Sequence, residues 1–292
     1  MTRIQNPYPF PAESFDDINV AARGALVNIL CIPQGASLSP ISGSGVIIDP
    51  RGVILTNAHV AQYVLLSQDE QLSLHCSVRT GSPATAHWTP SVLFMPPIWV
   101  NEHAVDISAQ HPTGTGEHDY ALLLITNSLD GSPLPASFPS LPIDTREGVT
   151  FIDDQILAAS YPAEFLGGIA AENDLYANSS VTTVKQLLTF GSGTIDVLSL
   201  GGIIEAQSGS SGGSVVNAWG RLVGIITTTS EGATTADRDL RAIALSYIDT
   251  DMKAQSGYSL EDLLAGNVAA EAADFAVTVA PTLTSRLVAQ IK

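Results

Sequence analysis

Gly209-Ser210-Ser211-Gly212-Gly213-Ser214-Val215-Val216-Asn217 sets three serines among three glycines directly before an apolar run. Glycine on both sides of a serine permits a tight turn that thrusts the hydroxyl into the open. It also bares backbone N–H groups that can converge on one point. Acyl-transfer chemistry needs both: an exposed nucleophile and two N–H donors for the developing oxyanion. Only Ser211 has glycine two positions before it and two after it; Ser210 and Ser214 are the other candidates. Taken alone, the segment reads equally well as a Gly/Ser-rich hairpin loop.

Two further segments change that balance. Gly43-Ser44-Gly45-Val46-Ile47-Ile48-Asp49, followed by Gly52-Val53-Ile54-Leu55-Thr56-Asn57-Ala58-His59-Val60, reads as a β-hairpin that ends in a histidine just past its second strand. A lone histidine there is usually structural, but here a small residue precedes it and an apolar strand positions it. His118-Asp119-Tyr120-Ala121-Leu122-Leu123-Leu124-Ile125 places a carboxylate at the mouth of a continuous apolar strand. Partly desolvated there, it is well placed to orient an imidazole. Asp106 is the competing carboxylate, but no long apolar strand follows it.

The rest of the chain is dominated by short Val/Ile/Leu/Thr runs between Gly, Pro, Ser and Asn turns. In the first half these are 24–32, 44–49, 52–57, 71–79, 90–94 and 120–126; in the second, 155–160, 180–189, 194–198, 202–206, 213–217, 221–228 and 241–247. Two batches of about six predict an all-β protein of two barrels or sandwiches. The Pro/Ser-rich stretch between them reads as a linker, and helical periodicity is convincing only at Ser259–Gly266. Residues 80–118 read as an unusually long connection. It carries His87, His103, His111 and His118, which lack metal-ligand spacing and read as surface residues, so no metal site is expected.

Composition narrows the function. The 292 residues carry 12 Lys+Arg against 29 Asp+Glu, a net charge of −17. With only three lysines, nothing can neutralise a row of phosphates, so nucleic acid is not an expected partner. No apolar run is long enough for a membrane-spanning helix, and the proline-rich N-terminus does not read as a signal peptide. The compartment stays open: secreted or periplasmic if an export segment precedes this sequence, otherwise cytoplasmic. Cys31 and Cys76 are too few for a disulfide scaffold.

The order His59, Asp119, Ser211 resembles the chymotrypsin-like (trypsin-fold) serine peptidases. Thr56-Asn57-Ala58-His59-Val60 and the closing run Ser211 to Ile225 look most like the bacterial Deg/HtrA branch, over residues 24–250. The resemblance implies two six-stranded Greek-key barrels: 20–128 with His59 and Asp119, a 129–149 linker, 150–266 with Ser211, and a 267–292 tail too short for a PDZ module. Ser211 is then the nucleophile, His59 the general base and Asp119 its partner, and the N–H groups of Gly209 and Ser211 form the oxyanion hole. No cofactor is implied, and the partners are peptide or protein substrates. A catalytically silent, peptide-binding relative is the alternative.

The resemblance puts Glu205, Thr227 and Thr229 on the walls of the primary specificity pocket. An acid at Glu205 favours Lys or Arg in the substrate, whereas the cost of an unpartnered carboxylate and the branched Thr229 favour a small or medium aliphatic residue. Ser210 stands where many relatives carry the aspartate that pairs with a freed N-terminus, so that activation route is not expected. The strands bearing Cys31 and Cys76 are neighbours in such a barrel, which allows either a bridge or two buried thiols.

Overall fold

The computed structural model describes residues 2–35, 38–69, 72–108, 114–164, 172–191, 193–230, 232 and 234–291. After helix α1 (Phe15–Ala25) come β1 (Leu26–Pro33), β2 (Ile41–Asp49), β3 (Val53–Thr56), α2 (Ala58–Leu66), β4 (Leu74–Thr80), β5 (Thr85–Phe94), α3 (Pro97–His103) and β6 (Ala121–Ser128). These six strands close into an antiparallel barrel in the order β1-β2-β3-β6-β5-β4. The second half contributes β7 (Gln155–Ser160), β8 (Asn178–Thr183), β9 (Gln186–Leu188), β10 (Val197–Gly201), β11 (Ser214–Asn217), β12 (Leu222–Thr229) and β13 (Leu240–Ala244). They form a seven-stranded sheet, β8-β7-β11-β12-β13-β10-β9, one strand more than expected and left open at both ends.

Strands β1, β3 and β6 of the first barrel are largely apolar on both faces because each face is covered. Val27, Ile29, Ile47, Ile54, Val78, Val92 and Leu123 come from all six strands and cluster together, so they fill the barrel. Their alternates Leu26, Val46, Val53 and Leu122 cluster instead with Leu157, Ile225 and Ile243 of the second sheet. One core therefore fills the barrel and a second welds the two halves. The linker is strapped across both: Leu141 N–H donates to Ile47 O, and Asp144 N–H to Leu222 O, each at 2.9 Å.

The structure corrects three expectations. First, residues 80–118 are no simple loop; they hold all of β5, all of α3 and a 3₁₀ turn at Ala104–Ser108. The strand read at 90–94 is the second half of β5; its first half, 85–89, is hidden by the Pro90 ring, but the ladder shifts register between Thr89 and Pro90, where no N–H is needed. Second, residues 202–206 form a turn, closed by Ala206 N–H to Ile203 O at 2.9 Å, rather than a strand. Third, the C-terminal part is helical well beyond one short helix: α4 (Leu245–Ser256), α5 (Leu260–Ala265), α6 (Val268–Thr278) and α7 (Ala280–Val288). Ser259 caps α5 by accepting from the Asp262 N–H. Residues 267–292 thus carry a helical pair whose Phe275, Leu283 and Leu287 join the core of the first barrel.

Cys31 and Cys76 lie directly opposite each other on β1 and β4 and are joined as a disulfide. The bridge closes a separation of 45 residues, a restriction of the unfolded chain worth roughly 4 kcal/mol on the chain-entropy account. No helix among the described residues is long and apolar enough to cross a membrane.

Candidate active site

His59 is the second residue of α2, the helix that starts where β3 ends. Every other residue of α2 is buried, which fixes the helix against the barrel and leaves the imidazole a third exposed. Asp119 ends the turn that feeds β6, and β6 pairs with β3, so the two residues emerge side by side. The contact is close: His59 Nδ1 lies 2.8 Å from Asp119 Oδ2, and the His59 backbone N–H donates to Asp119 Oδ1 at 2.9 Å. Asn57 donates its side-chain amide to the Asp119 carbonyl at 2.8 Å, tying the helix start to the same turn.

The electrostatics follow from this geometry. Burial, the largest single influence on His59, opposes the imidazolium, but the Asp119 charge and hydrogen bond together outweigh it and hold the imidazole above its ordinary range. Burial likewise opposes the Asp119 carboxylate, yet the His59 charge and the hydrogen bonds from His59 and Thr227 keep it below the usual range. The stable arrangement is a carboxylate beside an imidazole with its proton on Nδ1. Nε2 is then the basic nitrogen, and no hydrogen bond engages it among the described residues.

The nucleophile candidate comes from the other half. Gly209 has φ +93° and Gly212 has φ +86°, both left-handed values that glycine tolerates. There is also no room for a side chain: a Cβ at Gly209 would lie 2.8 Å from Tyr161 O, and one at Gly212 only 2.0 Å from Ser44 O. Of the three serines, Ser210 and Ser214 are wholly buried, and Ser160 donates its hydroxyl to Ser210 Oγ at 2.9 Å. Ser211 alone is partly exposed. Its hydroxyl donates to the Thr227 carbonyl at 3.3 Å, and no hydrogen bond to His59 occurs among the described residues. The N–H groups of Gly209 and Ser211 have no backbone acceptor among the described residues, while the Ser208 carbonyl is held by Ala163 N–H at 2.8 Å.

Two residues join the halves here: Ser44, which the sequence did not single out, and Thr227, which it placed elsewhere. Ser44 N–H donates to Ser211 O at 2.7 Å, Ser44 Oγ donates to Gly209 O at 2.8 Å, and Ser44 Oγ accepts from Tyr161 N–H at 2.9 Å. Thr227, expected on a pocket wall, instead turns its hydroxyl to Asp119 Oδ2 at 2.9 Å. A small polar side chain in an apolar strand carries no periodic signal. The only clue to Ser44 is its place between two glycines.

Glu205 also departs from its expected place. It has no exposed surface, so it lines no open pocket; Oε1 accepts from Ser180 at 3.0 Å and Oε2 has no partner among the described residues. Burial pushes its carboxyl up, towards the neutral acid. Thr229 pairs with Leu240 in the ladder, but its side chain lies outside the described residues, as does all of His111. Asp106 pairs with His103 at 3.0 Å on the 3₁₀ turn, and His118, expected at the surface, is mostly buried against Asp251. No group of three metal-ligating side chains occurs among the described residues.

A family model for the trypsin-like peptidase domain matches residues 43–225 of the chain. Among solved structures, the serine endoprotease from Yersinia pestis is similar in fold, with a TM-score of 0.51 and 21% identity, over 85% of this chain and 70% of that one. No curated protein matches the chain at a significant level.

Proposed function

The chain belongs to the trypsin-like peptidase family, and from that premise we propose that it is a serine endopeptidase acting through Ser211, His59 and Asp119. The observation that carries this reading is the oriented His59–Asp119 pair of one barrel, linked through Thr227 to a partly exposed serine on a glycine-bounded turn of the other half. For the reaction, the Ser211 hydroxyl must exchange the Thr227 carbonyl for His59 Nε2. As Oγ attacks the scissile carbonyl, Nε2 takes its proton, and Asp119 stabilises the imidazolium. The Gly209 and Ser211 N–H groups receive the oxyanion, each worth about 3–4 kcal/mol in measured systems. His59 then protonates the leaving amine, and water resolves the acyl-enzyme by the same steps in reverse.

A fluorophosphonate probe tests this directly. Intact protein should become labelled on the Ser211 peptide without prior trimming of the chain, since Ser210 is already satisfied by Ser160. Folded protein that takes no label overturns the peptidase reading and leaves a peptide-binding relative in its place.

For the bond that is cut, a small or medium aliphatic residue on its acyl side is the better-supported choice. An inaccessible Glu205 biased towards its neutral form cannot serve as the counter-charge a Lys or Arg needs. Cleavage of a mixed peptide library decides the point. Cuts confined to the carboxyl side of Lys and Arg, and lost in Glu205→Gln, would reverse the choice.

A further inference from the structure

Asp119 sits in a sharp turn with a left-handed residue before it. His118 has φ +58°, a value uncommon outside glycine although histidine adopts it more readily than most side chains. The turn is closed by Tyr120 N–H to His118 O at 2.9 Å and Asp119 N–H to Gly116 O at 3.2 Å. Because an Asp side chain is short, this backbone sets where the carboxylate lies relative to His59.

What holds the turn comes from the other half of the molecule. Helix α4, which continues from β13, offers one carboxylate oxygen, Asp251 Oδ2. It accepts from Tyr120 OH at 2.9 Å, from His118 Nδ1 at 3.0 Å and from Gln255 Nε2 at 2.6 Å. His118 and Tyr120 are the residues on either side of Asp119, so both flanks of the turn are tied to a single atom. Tyr247, also on α4, accepts the His118 backbone N–H at 3.2 Å. Glu117 is the one other carboxylate near the ring among the described residues, 3.9 Å from Nε2 and half exposed. Tyr120 is fully buried, and burial, reinforced by the Asp251 charge, pushes its phenol far above the ordinary range, so it remains a donor.

We propose that Asp251 is a positioning residue, which clamps His118 and Tyr120 and so aims the Asp119 carboxylate at His59. The proposal rests on the triad reading above, and goes beyond it in making the aspartate's aim a property of α4 rather than of the first barrel alone. Loss of the clamp frees the turn to relax from φ +58° and swings Asp119 away from the imidazole without touching the substrate.

The test reads the His59 Nδ1 proton, whose far-downfield NMR resonance reports its bond to Asp119 and requires no turnover. Asp251→Ala should shift or broaden that resonance and lower kcat roughly 10–100-fold, with KM within about twofold, the scale of a misplacement remote from the reacting atoms. Adding His118→Gly, which accepts φ +58° freely, should cost little more than Asp251→Ala alone, because both remove one clamp. Asp249→Ala is the control: it lies on the same helix and accepts from Leu260 N–H at 2.8 Å, with no bond to the turn among the described residues. It should lower stability and leave resonance and kcat in place. If Asp251→Ala behaves like Asp249→Ala, with resonance and kcat unchanged, Asp251 is merely structural and the proposal falls. Should Asp251→Ala not fold, Tyr120→Phe combined with His118→Gly removes the same two bonds and is judged by the same resonance and the same kcat. Wild type that shows the resonance but takes no fluorophosphonate label would sink the peptidase reading and leave the clamp to be judged on the resonance alone.

Discussion

Ser211→Ala should abolish peptide hydrolysis, with kcat lower by about five to six orders of magnitude and the melting temperature nearly unchanged. The first half of that expectation follows from chemistry: removal of the nucleophile from a measured triad costs about that much, and what survives comes from oxyanion donors and binding. The second half follows from packing. The Ser211 hydroxyl makes one long bond, 3.3 Å to the Thr227 carbonyl, on a partly exposed residue, so alanine forfeits a single weak bond and opens no core cavity. Docking of the loop runs through backbone atoms, Ser44 N–H to Ser211 O and Gly212 N–H to Ile226 O, which alanine retains. Steady-state hydrolysis alongside a thermal melt checks both halves. More than a few per cent of wild-type turnover would mean another nucleophile is at work. Ser210 and Ser214 could supply one only by leaving the interior.

Strands β1, β3 and β6 of the first barrel are legible in the sequence because their residues are largely apolar on both faces and their ends are marked by Gly, Pro and Asn. That same apolarity conceals α2. Ala58 to Leu66 offers only His59 and Gln62 as polar contrast to an otherwise apolar run, so a helical period is faint and the sequence reading stops at the strand that ends at residue 57. Helix α4 is hidden for the opposite reason: polar residues surround its few buried positions, Leu245, Ile248 and Met252, and β13 runs straight into it. His59, Asp119 and Ser211 stand out as candidates because each follows or precedes a strand at a distinctive small or charged residue. Their supports do not stand out. Ser44, Thr227 and Asp251 act across the interface between the halves, and a contact between residues more than a hundred positions apart leaves no local mark.

Asp119→Asn should lower kcat about 10⁴-fold, as in triads where the same change has been made, while Asp106→Asn leaves it within about twofold. The amide is nearly isosteric with the carboxylate, so the loss comes from charge and proton placement rather than shape. In the native site the Asp119 oxygens accept from His59 Nδ1, His59 N–H and Thr227 Oγ1. An asparagine has one acceptor oxygen to offer and presents N–H protons to the rest. If its amide faces the ring, Nδ1 must accept, the proton moves to Nε2, and the base that should take the Ser211 proton is blocked. The pH dependence carries an independent signature. Hydrolysis requires neutral His59, and the Asp119 charge holds the folded imidazole above its ordinary pKa near 6.5, so the wild-type acid limb of kcat/KM should lie above that value. Removal of the charge leaves burial, which favours the neutral ring, so the limb should move down. Residual activity of the variant should therefore persist to lower pH than that of wild type. Stability has the matching sign: the raised His59 stabilises the fold below about pH 6.5, and the gain is lost as pH rises through its folded pKa. A full pH–rate profile of both proteins separates the cases. A limb that stays in place in Asp119→Asn would mean that Asp119 does not set the charge state of His59.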